Sequence, residues 1–316
     1  DENAEPIVVA VVDSGVNAEH PDLRSMMYRD EDGRIVGANF VGARARSAPN
    51  RNFDDGDGHG THVAGIIAAA SGNSRGVVGV ASCANVKIMP VRVLNDEGSG
   101  SSIEIERGIK WAADNGAHII NLSLGHLATS YRKRNYFSRS LYNSLANRDV
   151  VVIAASGTDG AQLGEENDDG EYQYSFPASY DNVISVAATT NSGYLTSFSN
   201  RGERVDVAAP GYQILSTYGN SYARLSGTSM AAPVVAGAYA MALAAVMPHM
   251  ELSRIDSGVA LDLIQDSTIS GRRLSSRDVE SGGVLAVDKL IAAMQEKYPA
   301  PVEEEPVEEE EEDEED

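Results

Sequence analysis

Residues 7–16 read IVVAVVDSGV, and this stretch decides the fold. Six apolar residues in succession, mostly β-branched, make a strand buried on both faces, as in the middle of a parallel sheet. Outward from it the pattern alternates. Residues 59–70 read as a helix in which Gly60 and Gly65 allow close packing, and 86–94 as a strand. Residues 103–115 form a helix with Ile105, Ile109 and Ala112 on one face and Gly116 as its stop. A strand is expected over 118–124, then a helix over 135–146 with Phe137, Leu141 and Leu145 on one face. Residues 150–155 and 183–188 read as strands, and 229–246 as a helix rich in small residues. Residues 251–298 read as peripheral helices with a turn at Ser281-Gly282-Gly283. Helices between strands imply right-handed crossovers, hence an α/β fold: a doubly wound, mostly parallel sheet with helices on both faces. One domain over residues 1–300 is expected, with an acidic tail over 301–316.

Of the 316 residues, 42% are hydrophobic, enough for one large core. The net charge of −22 is uneven: twelve acidic residues lie in 302–316, leaving −10 for the remainder. Such a run repels itself and buries nothing, so a disordered tail is expected. The acidic remainder argues against a nucleic-acid partner; it fits cationic substrates or metal ions, and equally fits mere solubility. The single cysteine, Cys83, excludes an intrachain disulfide. No run approaches 18 consecutive apolar residues, so no membrane span is expected, and no signal-peptide pattern opens the chain.

Three short motifs carry chemistry: Asp13 in VVDSGV, His59 and His62 in DGHGTHVAG, and Ser229 in GTSMAAP. A serine hydroxyl is unreactive at neutral pH until a base takes its proton and a carboxylate holds that base in one tautomer. Each residue also has a plainer reading. Asp13 can cap a turn, and Ser229 can simply cap a helix. His59 and His62, three apart, can suggest zinc, but no accompanying Glu and no third-ligand motif support it. Asp13 closes a strand, while His59 and Ser229 open helices, so all three can meet at one edge of the sheet.

The motifs, in the order Asp, His, Ser, resemble those of the subtilisin-like serine proteases from about residue 6 to residue 247. The resemblance implies a serine endopeptidase that hydrolyses polypeptides through an acyl-enzyme, with Asp13, His59 and Ser229 catalytic and His62 a buried packing residue. It implies substrate pairing along Ser99, Gly100 and Ser101 and along Ser123, Leu124 and Gly125. Ala155, Ser156 and Gly157 would line the pocket for the residue before the cleaved bond. Asp159 and the acidic loop 165–171 beyond that wall read either as favouring basic substrate residues or as a solvated loop. Where relatives carry an oxyanion-binding Asn this chain has Thr158, with Thr228 as a second donor. That departure makes a weakly active or inactive peptide-binding homologue the alternative. A structural Ca²⁺ is implied at Asp22, Ser71, Asn73, Arg75 and Val77, lacking one N-terminal ligand that relatives have. Asp54, Asp55 and Asp57 read as a further cation site or as loop structure. The resemblance also implies a secreted, monomeric enzyme made as a zymogen with an inhibitory propeptide, and a cis bond at Phe176-Pro177.

Overall fold

The computed structural model describes residues 5–43, 49–129, 137–167, 169–250 and 254–301. The expected tail over 302–316 lies outside them. The strands of the central sheet are β1 (Ile7–Asp13), β2 (Ala38–Asn39), β3 (Val86–Arg92), β4 (Ile119–Leu122) and β5 (Val151–Ala155). They continue as β6 (Ile184–Thr189), β7 (Val207–Pro210), β8 (Thr268–Ser270) and β9 (Gly283–Leu285). Their spatial order is β8-β9-β7-β6-β5-β4-β1-β3-β2. Every neighbouring pair is parallel except β8 with β9.

Strand alternation divides the side chains of β1 between two cores. Ile7, Val9 and Val11 join one cluster, with helix α1 (His59–Ala68) and helix α4 (Thr228–Val246). Val8, Ala10 and Val12 join the other, with α2 (Ser102–Asp114) and α3 (Arg139–Ala146). A strand apolar on both faces is thus what a two-layer helical cover requires. Helix α4 is 19 residues long and apolar enough to cross a membrane by length and composition alone, yet it is mostly buried against the sheet. Its apolarity serves the core.

Three sequence expectations change. In α3 the buried residues are Tyr142 and Leu145, with Leu141 half-buried; Phe137 is buried ahead of the helix. Residues 251–298 are not helices alone. Helix α5 (Ser257–Asp266) leads into β8, Gly283 begins β9, and α6 (Val287–Lys297) follows. β7 was not foreseen at all. The Phe176-Pro177 bond is cis, as expected.

Winding runs from β1 to β3, then crosses back past β1 to β4 and onward to β5 and β6. The reversal leaves a crevice at the carboxyl ends of β1 and β4, where such sheets hold their ligands.

Candidate active site

Asp13 is the last residue of β1 and is fully buried. His59 opens α1, and its Nδ1–H donates to Asp13 Oδ1 at 2.8 Å. The carboxylate can only accept, so the proton sits on Nδ1 and the other ring nitrogen is left for a second partner. Local sequence builds this contact. A Cβ at Gly60 would lie 2.1 Å from the Gly15 carbonyl oxygen, so only glycine lets α1 approach the end of β1 so closely. Ser14 Oγ accepts from the Gly60 N–H at 2.9 Å and donates to Asp55 Oδ1 at 2.8 Å. Asp55 also accepts from the N–H groups of Gly58 and Thr61 (2.8 Å each), so it shapes the loop and caps the helix start. Among the described residues no group of three His, Cys, Asp or Glu could hold a metal there.

Burial alone would lower the His59 pKa. The Asp13 charge and hydrogen bond, helped by Asp57 and Asp55, outweigh it and raise the value to about 9. The neighbouring His62 goes the other way. Burial, reinforced by His59, pushes it down to about 4, and its Nε2–H is shared between the carbonyls of Ile214 and Ala223 at 3.1 Å each. Those carbonyls belong to a hairpin, Ile214–Tyr218 with Ser221–Leu225, whose Ser216 and Thr217 hydroxyls donate to the His62 and Thr61 carbonyls, both at 2.7 Å.

The hairpin leads directly into α4, whose second residue is Ser229. Pro233 has no N–H for the carbonyl four residues back, which is that of Ser229. That carbonyl accepts instead from Ser123 Oγ at 2.8 Å, just past the end of β4. In return Ser229 Oγ donates to the Ser123 carbonyl at 3.2 Å. The two serines clamp strand end to helix start. Ser229 is not hydrogen-bonded to His59 in this arrangement; catalytic contacts commonly tighten only when substrate binds.

Two adjoining hollows flank the clamp and share Leu124, Gly125 and His126. One, of about 580 Å³, holds His59, Asp57, Ser99, Gly100 and Ser123. The other holds Ser229, Thr228, Thr158, Asp159, Ala155 and Gly157. Ser101 is absent from both: it caps α2 in a reciprocal pair with Glu104, and Ser102 lines the first hollow instead. Ser156 is fully buried and donates to the Asn200 carbonyl at 3.3 Å, so its side chain faces away from the hollow. Asn200, which sequence reasoning missed, is also fully buried and organises the wall. Its amide nitrogen donates to the Ser156 carbonyl (2.8 Å) and to Asp159 Oδ2 (3.2 Å), and its oxygen accepts from the Asp159 and Ala161 N–H groups. Gly157, at φ 105, leaves no room for a Cβ, which would meet Asn200 Nδ2 at 2.3 Å. Thr228 Oγ1 accepts from the Gly157 N–H at 3.1 Å. Thr158 is exposed, beside the Ser229 turn.

Across the molecule Asp22 is fully buried, with no ion pair among the described residues. Its Oδ1 accepts from Asn73 Nδ2 (2.8 Å), and its Oδ2 from Tyr222 Oη–H (3.0 Å) and the Val77 N–H (3.2 Å). Three of the five expected ligand residues therefore converge. Arg75 N–H donates to Asn73 Oδ1 at 3.0 Å, and Ser71 Oγ to the Ser82 carbonyl at 3.4 Å.

The pattern of the Subtilase family matches residues 5–259. The chain is 41% identical over 270 residues to a thermophilic serine proteinase of Bacillus sp. (strain AK1), covering 83% of this chain and 57% of that protein. It is 39% identical to subtilisin DY of Bacillus licheniformis, covering 75% of this chain and 76% of the relative. To subtilisin Savinase of Lederbergia lenta it is 42% identical, covering 74% and 75%. A solved structure, of a lanthipeptide protease, superposes with a TM-score of 0.75 at 23% identity over 91% of this chain and 87% of that one, a likeness of fold.

Proposed function

Because this chain belongs to the subtilase family, we propose that it is a serine endopeptidase acting through Asp13, His59 and Ser229. The observation that carries the reading is the contact of half-buried His59 with fully buried Asp13 at 2.8 Å, with Ser229 at the helix start clamped to the neighbouring strand end. His59, neutral, takes the Ser229 proton as Oγ turns from the Ser123 carbonyl and attacks the substrate carbonyl; Asp13 stabilises the imidazolium that forms. The same proton then goes to the leaving amine, and water releases the acyl group. The Ser229 N–H at the helix N-terminus, with Thr158 and Thr228, would donate to the oxyanion. Polypeptides are the substrates of this proposal, and a secreted monomer released from an inhibitory propeptide is its setting.

A second reading, a homologue that binds peptides without cleaving them, is favoured by the exposed Thr158 in the expected Asn position and by the Ser229 hydroxyl held on Ser123. A serine-reactive phosphonate separates the two. Labelling at Ser229 supports the enzyme, and a protein that stays unlabelled would be the binder.

Since only neutral His59 can act as base, kcat/KM should climb with pH towards a plateau above about 9. Asp57→Asn removes a nearby negative charge and should move that rise to lower pH. A rise centred near 6.5 in the unaltered protein would contradict the arrangement. The same raised pKa stabilises the folded chain fully below about 6.5, and the contribution is lost as pH passes about 9.

The Asp22 cluster suits Ca²⁺ chemically: a buried carboxylate and an Asn amide oxygen are hard donors, completed by loop carbonyls. Asp22, Asn73 and Val77 would hold the ion, with Ser71 and Arg75 supplying carbonyls. Bound only by the folded state, the ion would raise stability by ~3–4 kcal/mol at 100–1,000 times its Kd. Excess chelator should therefore lower the melting temperature by several degrees, and Asp22→Ala should abolish that sensitivity. A melting temperature indifferent to chelator would remove calcium from the proposal.

A further inference from the structure

Asn121 is a fully buried amide in the middle of the central sheet. Its register partners are Val11 on β1 and Ile153 on β5, both fully buried and both part of the core beneath α1 and α4. An amide placed in such a layer gives up its hydration, and any polar atom left without a partner adds to the loss. Asn121 Oδ1 is such an atom, meeting no hydrogen-bond partner among the described residues. Its Nδ2 donates to Ser123 Oγ at 3.0 Å. A leucine of the same shape would be at least as stable between Val11 and Ile153. Packing alone does not account for the amide.

The bond to Ser123 extends a line that ends at Ser229. Ser123 Oγ has a single proton and gives it to the Ser229 carbonyl at 2.8 Å, the carbonyl that Pro233 leaves without its helical donor. Its lone pairs can then only accept, which sets the Asn121 amide with Nδ2 towards Ser123. A serine side chain otherwise turns among three staggered wells. Held from behind by Asn121, the hydroxyl stays in the well that points at Ser229. We propose that Asn121 is a positioning residue for Ser229, acting through Ser123 to fix the start of α4 against the end of β4. This rests on the endopeptidase reading above. Asn121 lies in neither hollow, so its effect is on where the Ser229 hydroxyl stands when His59 takes the proton. Misplacement by about 1 Å costs on the order of 100-fold in rate, and a loosened Ser123 gives part of that.

The test begins with Asn121→Leu in the full chain, which keeps the shape and removes the donor. On a peptide substrate kcat should fall roughly tenfold with KM changed less than about twofold. The melting temperature should stay level or rise, because the orphaned amide oxygen is gone. Asn121→Ala, which cannot overfill the site, should show the same loss of kcat while melting lower, since it leaves a cavity. A double-substitution cycle reads whether the effect runs through Ser123. Ser123→Ala alone should lower kcat at least as much as Asn121→Leu, and adding Asn121→Leu to it should cost nothing further. A residue that merely supports the sheet would instead lower the melting temperature and add its own loss to that of Ser123→Ala. Full kcat in both Asn121 variants, failure of both to fold, or losses that multiply in the double variant would overturn the proposal. An unaltered chain that neither cuts the peptide nor takes a serine-reactive phosphonate would instead bring down the endopeptidase reading itself.

Discussion

Ser229→Ala is expected to lower kcat on a peptide substrate by about 10⁶-fold, the magnitude this change has in subtilisin. His59→Ala should lose nearly as much. The double substitution should lose little more, because nucleophile and base act as one unit and their losses do not add. Stability gives the control. Ser229 Oγ makes one hydrogen bond, to the Ser123 carbonyl, worth about 1 kcal/mol. The opposing bond, from Ser123 Oγ to the Ser229 carbonyl, uses backbone and survives the substitution. The alanine protein should therefore melt within a few degrees of the parent, and lost turnover cannot be charged to unfolding. Turnover of a peptide ester well above background by Ser229→Ala would show that another group is the nucleophile.

Thr158→Asn should raise kcat roughly ten- to a hundredfold with KM little changed, that is ~1–3 kcal/mol from the barrier. The oxyanion exists only as the tetrahedral intermediate forms, so a better donor there stabilises the transition state without tightening ground-state binding. Thr158 lines the hollow with Ser229, but its hydroxyl sits on a short arm; an Asn amide reaches one bond further. Because Thr158 is exposed, the larger side chain displaces no core atoms. Steady-state kinetics on one peptide decides the matter. A fall in kcat would mean that Thr158 is already the working donor, fitted by its neighbours.

Much of the fold was legible because β1 is apolar on both faces, and only a parallel sheet covered by helices on both sides hides such a strand. The longer strands and helices followed within a few residues. What escaped was short. β8 and β9 have three residues each, too few to show a period of two, so helical spacing in their surroundings prevailed. β7, VAAP, ends in proline and reads as a loop. At the site the motif residues were visible because chemistry confines them to short local patterns. Their supports were not. Ser123 and Ser229 are 106 positions apart and Asn200 and Ser156 are 44 apart, so nothing local announces either contact. Ser14 was half-legible, lying inside a motif without a role until its hydrogen bonds assigned one, and of the two readings open for Asp55, just ahead of a motif, its hydrogen bonds support loop structure.

The hairpin between β7 and α4 holds on one side the helix that opens with His59 and runs on the other into the turn that carries Ser229. Its strands grip α1 through Ser216, Thr217 and His62, while Tyr222 reaches the buried Asp22 and stacks edge-on against His20 at 5.2 Å. It works as a common axle. Tolerance to substitution should therefore not fall off as circles around Ser229 but along the hairpin's length. Drift at Tyr222 or His20, neither in either hollow beside the clamp, is then felt as displacement of His59 and Ser229 at once. An evolving lineage could resurface the outer helices freely and still find this ribbon almost immovable.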